Sequence, residues 1–239
     1  MKKRGKRNLN KNSVRGIYLK NAIYGASDGI VTTFAIIAGV VGASLDVIVI
    51  LILGFAKLLA DAFSMAVANY LGQKSERDYN KYQRIVEEGK SDGLFRKEKN
   101  EIRKIYYKKG FRGELLDRVV NKIYNNKKTR VDTVLKEELN IVDNNVSPIK
   151  GAIATFIAFV LAGFMPLLVF VLAYFIPYFG EHSFVIAAII TALTFMIVGT
   201  LKSLITRTKW WRGALEMLLI GGTASALAYV IGIILASIV

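Results

Sequence analysis

The 239-residue chain reads as an all-α membrane protein with five transmembrane helices and a small helical cytosolic domain between helices 2 and 3. Three observations lead there. First, 53% of the residues are hydrophobic, yet the formal net charge is +15, and the two properties are segregated along the chain. A soluble domain is seldom both this apolar and this basic, whereas segregation is the membrane pattern. Second, five stretches reach the ~20 apolar residues that a helix needs to cross ~30 Å of hydrocarbon. Third, strongly cationic connections alternate with uncharged ones, which orients those stretches.

The chain divides into a basic tail (1–21), spans one and two (22–71), a polar domain (72–147) and spans three to five (148–239). The tail, MKKRGKRNLNKNSVRG onward, leads straight into a full-length span. No short apolar core with a small-residue cleavage site follows it, so it reads as a cytoplasmic tail and not as a signal peptide. Span one covers about 22–43 and span two about 47–71. Only a few residues near Ser44 and Asp46 join them, which makes them antiparallel neighbours.

Span three covers about 149–176. Pro148 stands at its start, where a missing N–H costs nothing, and Pro166 lies inside, where it should kink or loosen the helix. Pro177 should end it. Span four covers about 184–201 and span five about 214–238. Small residues recur at Gly25-x-x-x-Gly29, Gly39, Gly42, Gly221, Gly222 and Gly232. In lipid they permit close helix contact, so they predict tight bundle packing and are compatible with a dimer. Trp210 and Trp211, flanked by Lys209 and Arg212, read as an interfacial anchor.

Charge sets the orientation. The tail through Lys20 holds eight Lys and Arg, residues 72–150 hold twenty and residues 202–212 hold four; the connections near Ser44–Asp46 and Tyr178–Ser183 hold none. Cationic connections stay in the cytoplasm, so the N-terminus is expected inside and the C-terminus outside. The same excess attracts anionic lipid headgroups.

The polar domain has apolar positions at helical spacing: Ile102, Ile105 and Tyr106; then Leu115, Leu116, Val119, Val120 and Ile123; then Val131, Val134, Leu135 and Leu139. Gly89, Gly93, Gly110 and Gly113 punctuate it. Span two meets no stop signal until about Gly89, so one long helix should leave the membrane, with about three short helices packed on its extension.

Several function classes are excluded. The chain has no cysteine, hence no disulfide, thiolate site or Cys nucleophile. One histidine, His182, cannot make a multi-histidine metal site or a Ser-His-Asp set, and it falls in a polar turn where solvation is the expected state. There is no phosphate-binding Gly loop and no nucleic-acid module. The chain is read as a non-enzyme without nucleic-acid partners or a resident cofactor.

The candidate chemistry is in spans one and two. An ionisable group inside an apolar span is costly and therefore a functional suspect. Asp28 lies in span one; Lys57, Asp61 and Met65 follow at i, i+4 and i+8 in span two and share a helix face. At 1.5 Å per residue, Asp28 and Asp61 each lie about 21–22 Å from the outer end of their spans, with Lys57 about 6 Å nearer the midplane. Two carboxylates at one depth, with a thioether beside them, suit a divalent ion, assisted by Ser27, Thr32, Thr33 or Ser64. The bland alternative is a Lys57–Asp61 pair that only neutralises itself, with Asp28 bonded locally. Glu87, Glu88, Glu98, Glu101, Glu137 and Glu138 are the cytosolic carboxylates; interleaved with Lys97, Lys99, Arg103 and Lys104, they read first as a solvated helix face.

These residues also carry a resemblance. SDGIVTTFAIIAGVVGAS (27–44) and GFAKLLADAFSMAVANYLGQKSERD (54–78) resemble the first two spans of the vacuolar iron transporter family. KNEIRKIYYKKGF and KEELNI are similar to its cytosolic domain, and AFVLAGFMPLLVF and GGTASALAYVIG to its spans three and five. The resemblance implies a five-helix protomer, a homodimer, and a path at the dimer interface for Fe2+, Mn2+ or a similar divalent ion, exchanged for protons. It implies that Asp28 and Met65 line the path, and that Glu98, Glu101, Glu138 and Glu87 gather metal in the cytosolic domain. Two departures stand out. Lys57 occupies a position where the family has Glu; in the cytosolic domain, Lys90 occupies a place where a further Glu is expected, and Val134 and Leu135 replace apolar or Met-rich positions near the last ligands. The expected function is export of divalent transition-metal ions through Asp28, Lys57, Asp61 and Met65. The alternatives are a non-transporting scaffold whose path Lys57 closes, and a carrier of a non-metal cation.

Overall fold

A computed structural model describes residues 2–89, 95–141 and 146–238, and these are helical almost throughout, with no strand among them. The helices are α1 (Lys2–Gly42), α2 (Val47–Gly89), α3 (Phe95–Lys108), α4 (Gly113–Tyr124), α5 (Lys127–Glu137), α6 (Pro148–Phe175), α7 (Pro177–Thr206) and α8 (Trp210–Ala236). Five are long and apolar enough to cross a membrane: α1 from Val14, α2, α6 to Ala173, α7 from His182, and α8.

Helix ends follow local chemistry. Ser44 adopts a left-handed conformation (φ 55°) after α1, and Asp46 accepts a hydrogen bond from the Ile48 amide at 3.1 Å, capping α2. Pro148 and Pro177 open α6 and α7, where proline's fixed φ suits a first turn. Backbone geometry adds two details and corrects one expectation, the turn at His182. Helix α1 extends back through the basic tail to Lys2, because Lys, Arg and Asn there include no breaker except Gly5 and Gly16. Helix α6 contains Pro166 and runs on past it to Phe175. His182 lies within α7 and not in a turn; one residue, Ile176, separates α6 from α7.

The chain forms two compact units, residues 1–71 with 146–239, and residues 72–145. In the first, α1 packs on α6, α8 and α7, and α6 and α8 each pack on α7. Its core is Phe34, Ile37, Ile50, Leu58, Ala62, Phe159, Leu167 and Phe170. Glycine decides how close the helices come. A Cβ on Gly25 would lie 2.5 Å from the Thr155 carbonyl oxygen, and one on Gly29 2.5 Å from that of Phe159. The Gly25-x-x-x-Gly29 stripe is thus used within the chain, against α6, and is covered by it. Gly42 meets α8 in the same way at the Tyr229 carbonyl, while Gly39 lies in ordinary contact with Ala228.

Helix α2 buries a narrow ridge in this unit, Ile50, Gly54, Leu58, Ala62 and Ala66, at strict fourfold spacing. Gly54 faces Leu167, the Phe55 and Phe164 ring centroids are 6.0 Å apart, and Asn69 Nδ2 donates to Thr155 Oγ1 at 2.8 Å. The opposite side of α2, including Ile52, Leu59, Phe63 and Val67, is exposed.

In the second unit α3, α4 and α5 form a miniature core of Ile102, Leu116, Val120 and Ile123, with Tyr106, Phe111 and Val119 packed on it. Gly110 (φ 96°) and Gly113 (φ 53°) make the turn between α3 and α4, a backbone that disfavours other residues. Arg84 on the last part of α2 binds Asp132 on α5 at 2.7 Å. Leu115 and Leu139, expected in the core, point outward. Gly93 lies outside the described residues.

Candidate functional site

Asp28 is carried by α1 one residue before Gly29, at the point where α1 closes on α6. Its side chain is half-buried. The hydroxyl of Thr32 donates to the Asp28 backbone carbonyl at 2.8 Å, which commits that hydroxyl's proton to the helix. Thr33 is buried, and Ser64 is exposed on α2.

On α2, Lys57 Nζ donates to Asp61 Oδ2 at 2.6 Å. The pair follows from i, i+4 spacing on one helix face. Lys57 is 51% and Asp61 31% exposed at the side chain, so within one chain the pair faces outward. Both charges act on the Asp28 carboxylate, which brings the two helices' ionisable groups into one electrostatic set. Met65, one turn beyond Asp61, is half-buried against the core that includes Leu58 and Phe159. The ionisable groups of the two helices are thus two carboxylates and one ammonium, with the Met65 thioether one turn beyond Asp61 on α2. Chemically this set can hold a cation by oxygen and sulfur, or exchange it for the ammonium.

In the second unit, Glu98 and Glu87 are buried, Glu101 is half-buried and Glu138 is exposed at the C-cap of α5. Among the described residues no three His, Cys, Asp or Glu side chains are gathered closely enough to hold a metal ion. Glu98 is not solvated, as its Lys-rich surroundings suggested. Its carboxylate lies 3.3 Å from Arg130 Nε, with both side chains nearly buried. Lys90 lies outside the described residues, as does the side chain of Lys97.

Residues 19–233 match the sequence profile of the VIT family. The chain belongs to the VIT family. Vacuolar iron transporters from Toxoplasma gondii and Plasmodium falciparum are each 32% identical to it, over 93% and 91% of this chain and 76% and 82% of theirs. Vacuolar iron transporter 1 of Arabidopsis thaliana is 31% identical over 92% of this chain and 86% of its own. Asp28, Lys57, Asp61 and Met65 all lie within the matched residues 19–233.

Three polar features escaped the sequence reading. Arg130 gave no signal because it sits among exposed lysines. Asn69 is a polar residue near the end of span two, and that alone could have marked its bond to Thr155. Glu216 on α8 pairs with Lys202 on α7 at 2.7 Å, tying the two helices across their short turn.

Proposed function

We propose that this VIT family protein is a multi-pass membrane transporter of divalent transition-metal ions, Fe2+ or Mn2+, which it moves out of the cytoplasm in exchange for protons. The observation that carries the reading is the electrostatic set on α1 and α2: Asp28, with Asp61 and Lys57 both acting on it and Met65 one turn away. The relatives' names as iron transporters support the choice of ion. The distribution of Lys and Arg supports a cytoplasmic N-terminus and an outside C-terminus. Asp28, Asp61 and Met65 hold the ion in transit. When it takes over Asp61, Lys57 is left without its partner and gives up a proton, which couples the two fluxes.

The protein works as a homodimer in this reading. Charges facing hydrocarbon cost several kcal/mol, and the Lys57–Asp61 pair on α2 faces outward in the single chain. A second copy against α2 covers the pair and turns two half-sites into one path. In proteoliposomes, flux of Fe2+, Mn2+ or Co2+ against a pH gradient is expected, with at least about a tenfold loss in Asp28→Ala, which removes a hard oxygen ligand. Absence of flux with all three ions overturns the reading.

The 2.6 Å Lys57–Asp61 bond favours a second reading, in which the path is closed and the protein is a scaffold. Lys57→Glu distinguishes them. A path blocked only by charge gains metal-dependent thermal stabilisation in that variant, whereas a scaffold melts identically with and without metal in both forms.

A further inference from the structure

The end of the membrane unit where α7 turns into α8 carries more positive charge than the chain neutralises there. Residues 182–239 contain one acidic side chain, Glu216, and Lys202 takes it at 2.7 Å. Arg207, Lys209 and Arg212 stand nearby, all exposed and without an ion pair among the described residues. Their placement runs against helix electrostatics. Lys209 is the N-cap of α8 and Arg212 lies in its first turn, which has no acidic residue and no side-chain cap, so both cations add to the positive end of the helix dipole. Arg207 ends α7 in a left-handed conformation (φ 54°), where glycine is the ordinary choice. Trp210 and Trp211 stand among these cations, 58% and 46% exposed, and the Arg212 guanidinium carbon is 5.4 Å from the Trp211 ring centroid. Beneath the turn α7 and α8 touch. Neither Gly199 nor Gly213 has room for a Cβ, and the buried Ser203 hydroxyl lies against Gly213 without a hydrogen-bond partner among the described residues.

Both flanking helices are long and apolar enough to cross a membrane, so the short turn between them, residues 207–209, lies at a membrane surface. Tryptophan favours that depth, and each exposed cation there is drawn to lipids of net negative charge. We propose that the α7–α8 turn is a binding site for the headgroup of an anionic phospholipid, whose net negative charge balances this end of the unit. The three cations and the open end of α8 hold the headgroup phosphate, and the two indoles settle at the level of the glycerol backbone. The inference needs only the membrane spans, and stands whichever ion the protein carries.

The chain's two tryptophans are both in this turn, so tryptophan fluorescence of the full-length protein in liposomes reports lipid at this place alone. Quenching is measured with brominated phosphatidylglycerol diluted in unlabelled phosphatidylcholine, and with the labels exchanged, which gives the relative binding constant of the anionic lipid. The expected preference is at least about fivefold, the contribution of one cation near a charged surface. Neutralising the site with Arg207→Gln, Lys209→Gln and Arg212→Gln together should bring the preference close to unity. Lys122→Gln, Lys127→Gln and Lys128→Gln remove the same charge from the second unit and should leave it unchanged. Equal quenching by the two lipids in the wild type overturns the proposal, as does absence of quenching by either. Equal loss of preference in the two triple variants also overturns it, since the attraction would then belong to the protein's overall charge. If the first triple variant does not fold, Lys209→Gln alone decides: the preference falls toward unity, or the proposal fails.

Discussion

Lys57 and Arg130 are two cations standing beside carboxylates, but their surroundings differ. Lys57 has half of its side-chain surface open and a flexible stem, so it can leave Asp61. Arg130 is nearly buried, permanently charged and fixed against α3 and α4, so it stays. Met65 is the residue that should tune the choice of ion. Thioethers favour softer metals, so Met65→Leu should lower Fe2+ and Co2+ transport relative to Mn2+ by roughly tenfold, about 1.4 kcal/mol. Competition between the ions in proteoliposomes reads this, and an unchanged ratio would remove Met65 from the path. Asp28, Lys57, Asp61 and Met65 were visible as suspects because each violates an apolar span or shares a helix face with a residue that does. Arg130 was not: it is 32 positions from Glu98, and no periodic pattern links residues on different helices.

At the scale of elements, close approach between helices depends on glycine and on a few polar links. Gly29 leaves no room for a Cβ beneath the Phe159 carbonyl. Gly29→Ala should force α1 off α6 at a cost of ~1–3 kcal/mol and lower the melting temperature by several degrees, read by thermal denaturation in detergent. Thr155→Val keeps the shape but removes the acceptor for Asn69, and should cost roughly 1 kcal/mol in the same assay. In the polar unit, the hydrogen bond from Lys109 holds the Glu137 carboxyl below the usual carboxylate range. Its pKa is lower folded than unfolded, so its contribution is present above the usual range and lost as pH falls through the folded value. Lys109→Met should therefore remove that contribution near neutral pH while leaving the acid-unfolded limit unchanged, as a pH series of exchange rates in α5 would show.

Helix positions were legible because hydropathy and breakers act locally. Five apolar runs became five candidate spans, and Gly89 ends α2 where the stop signal was read. What local signals miss is continuation: a basic tail without strong breakers extends α1, and a lone polar patch around His182 does not interrupt α7. Which glycine faces which helix was not legible either, since Gly25 and Gly29 fit a dimer seam and an internal contact equally well until α6 is seen against them.

For the whole molecule, the outward face of α2 in the membrane unit carries an ion pair and large apolar side chains together. Sequence composition predicts the bundle but not which face is left open, because lipid-facing and partner-facing residues are equally apolar. The proposed dimer, path and proton exchange all meet at Lys57 and Asp61 on that face. The most direct measurement records metal and proton movement together, in proteoliposomes with an acidic lumen and separate dyes for Mn2+ and pH. The account predicts Mn2+ entry with a matching rise in lumenal pH, both lost in Asp28→Ala. Mn2+ entry that leaves the lumenal pH unchanged would contradict it.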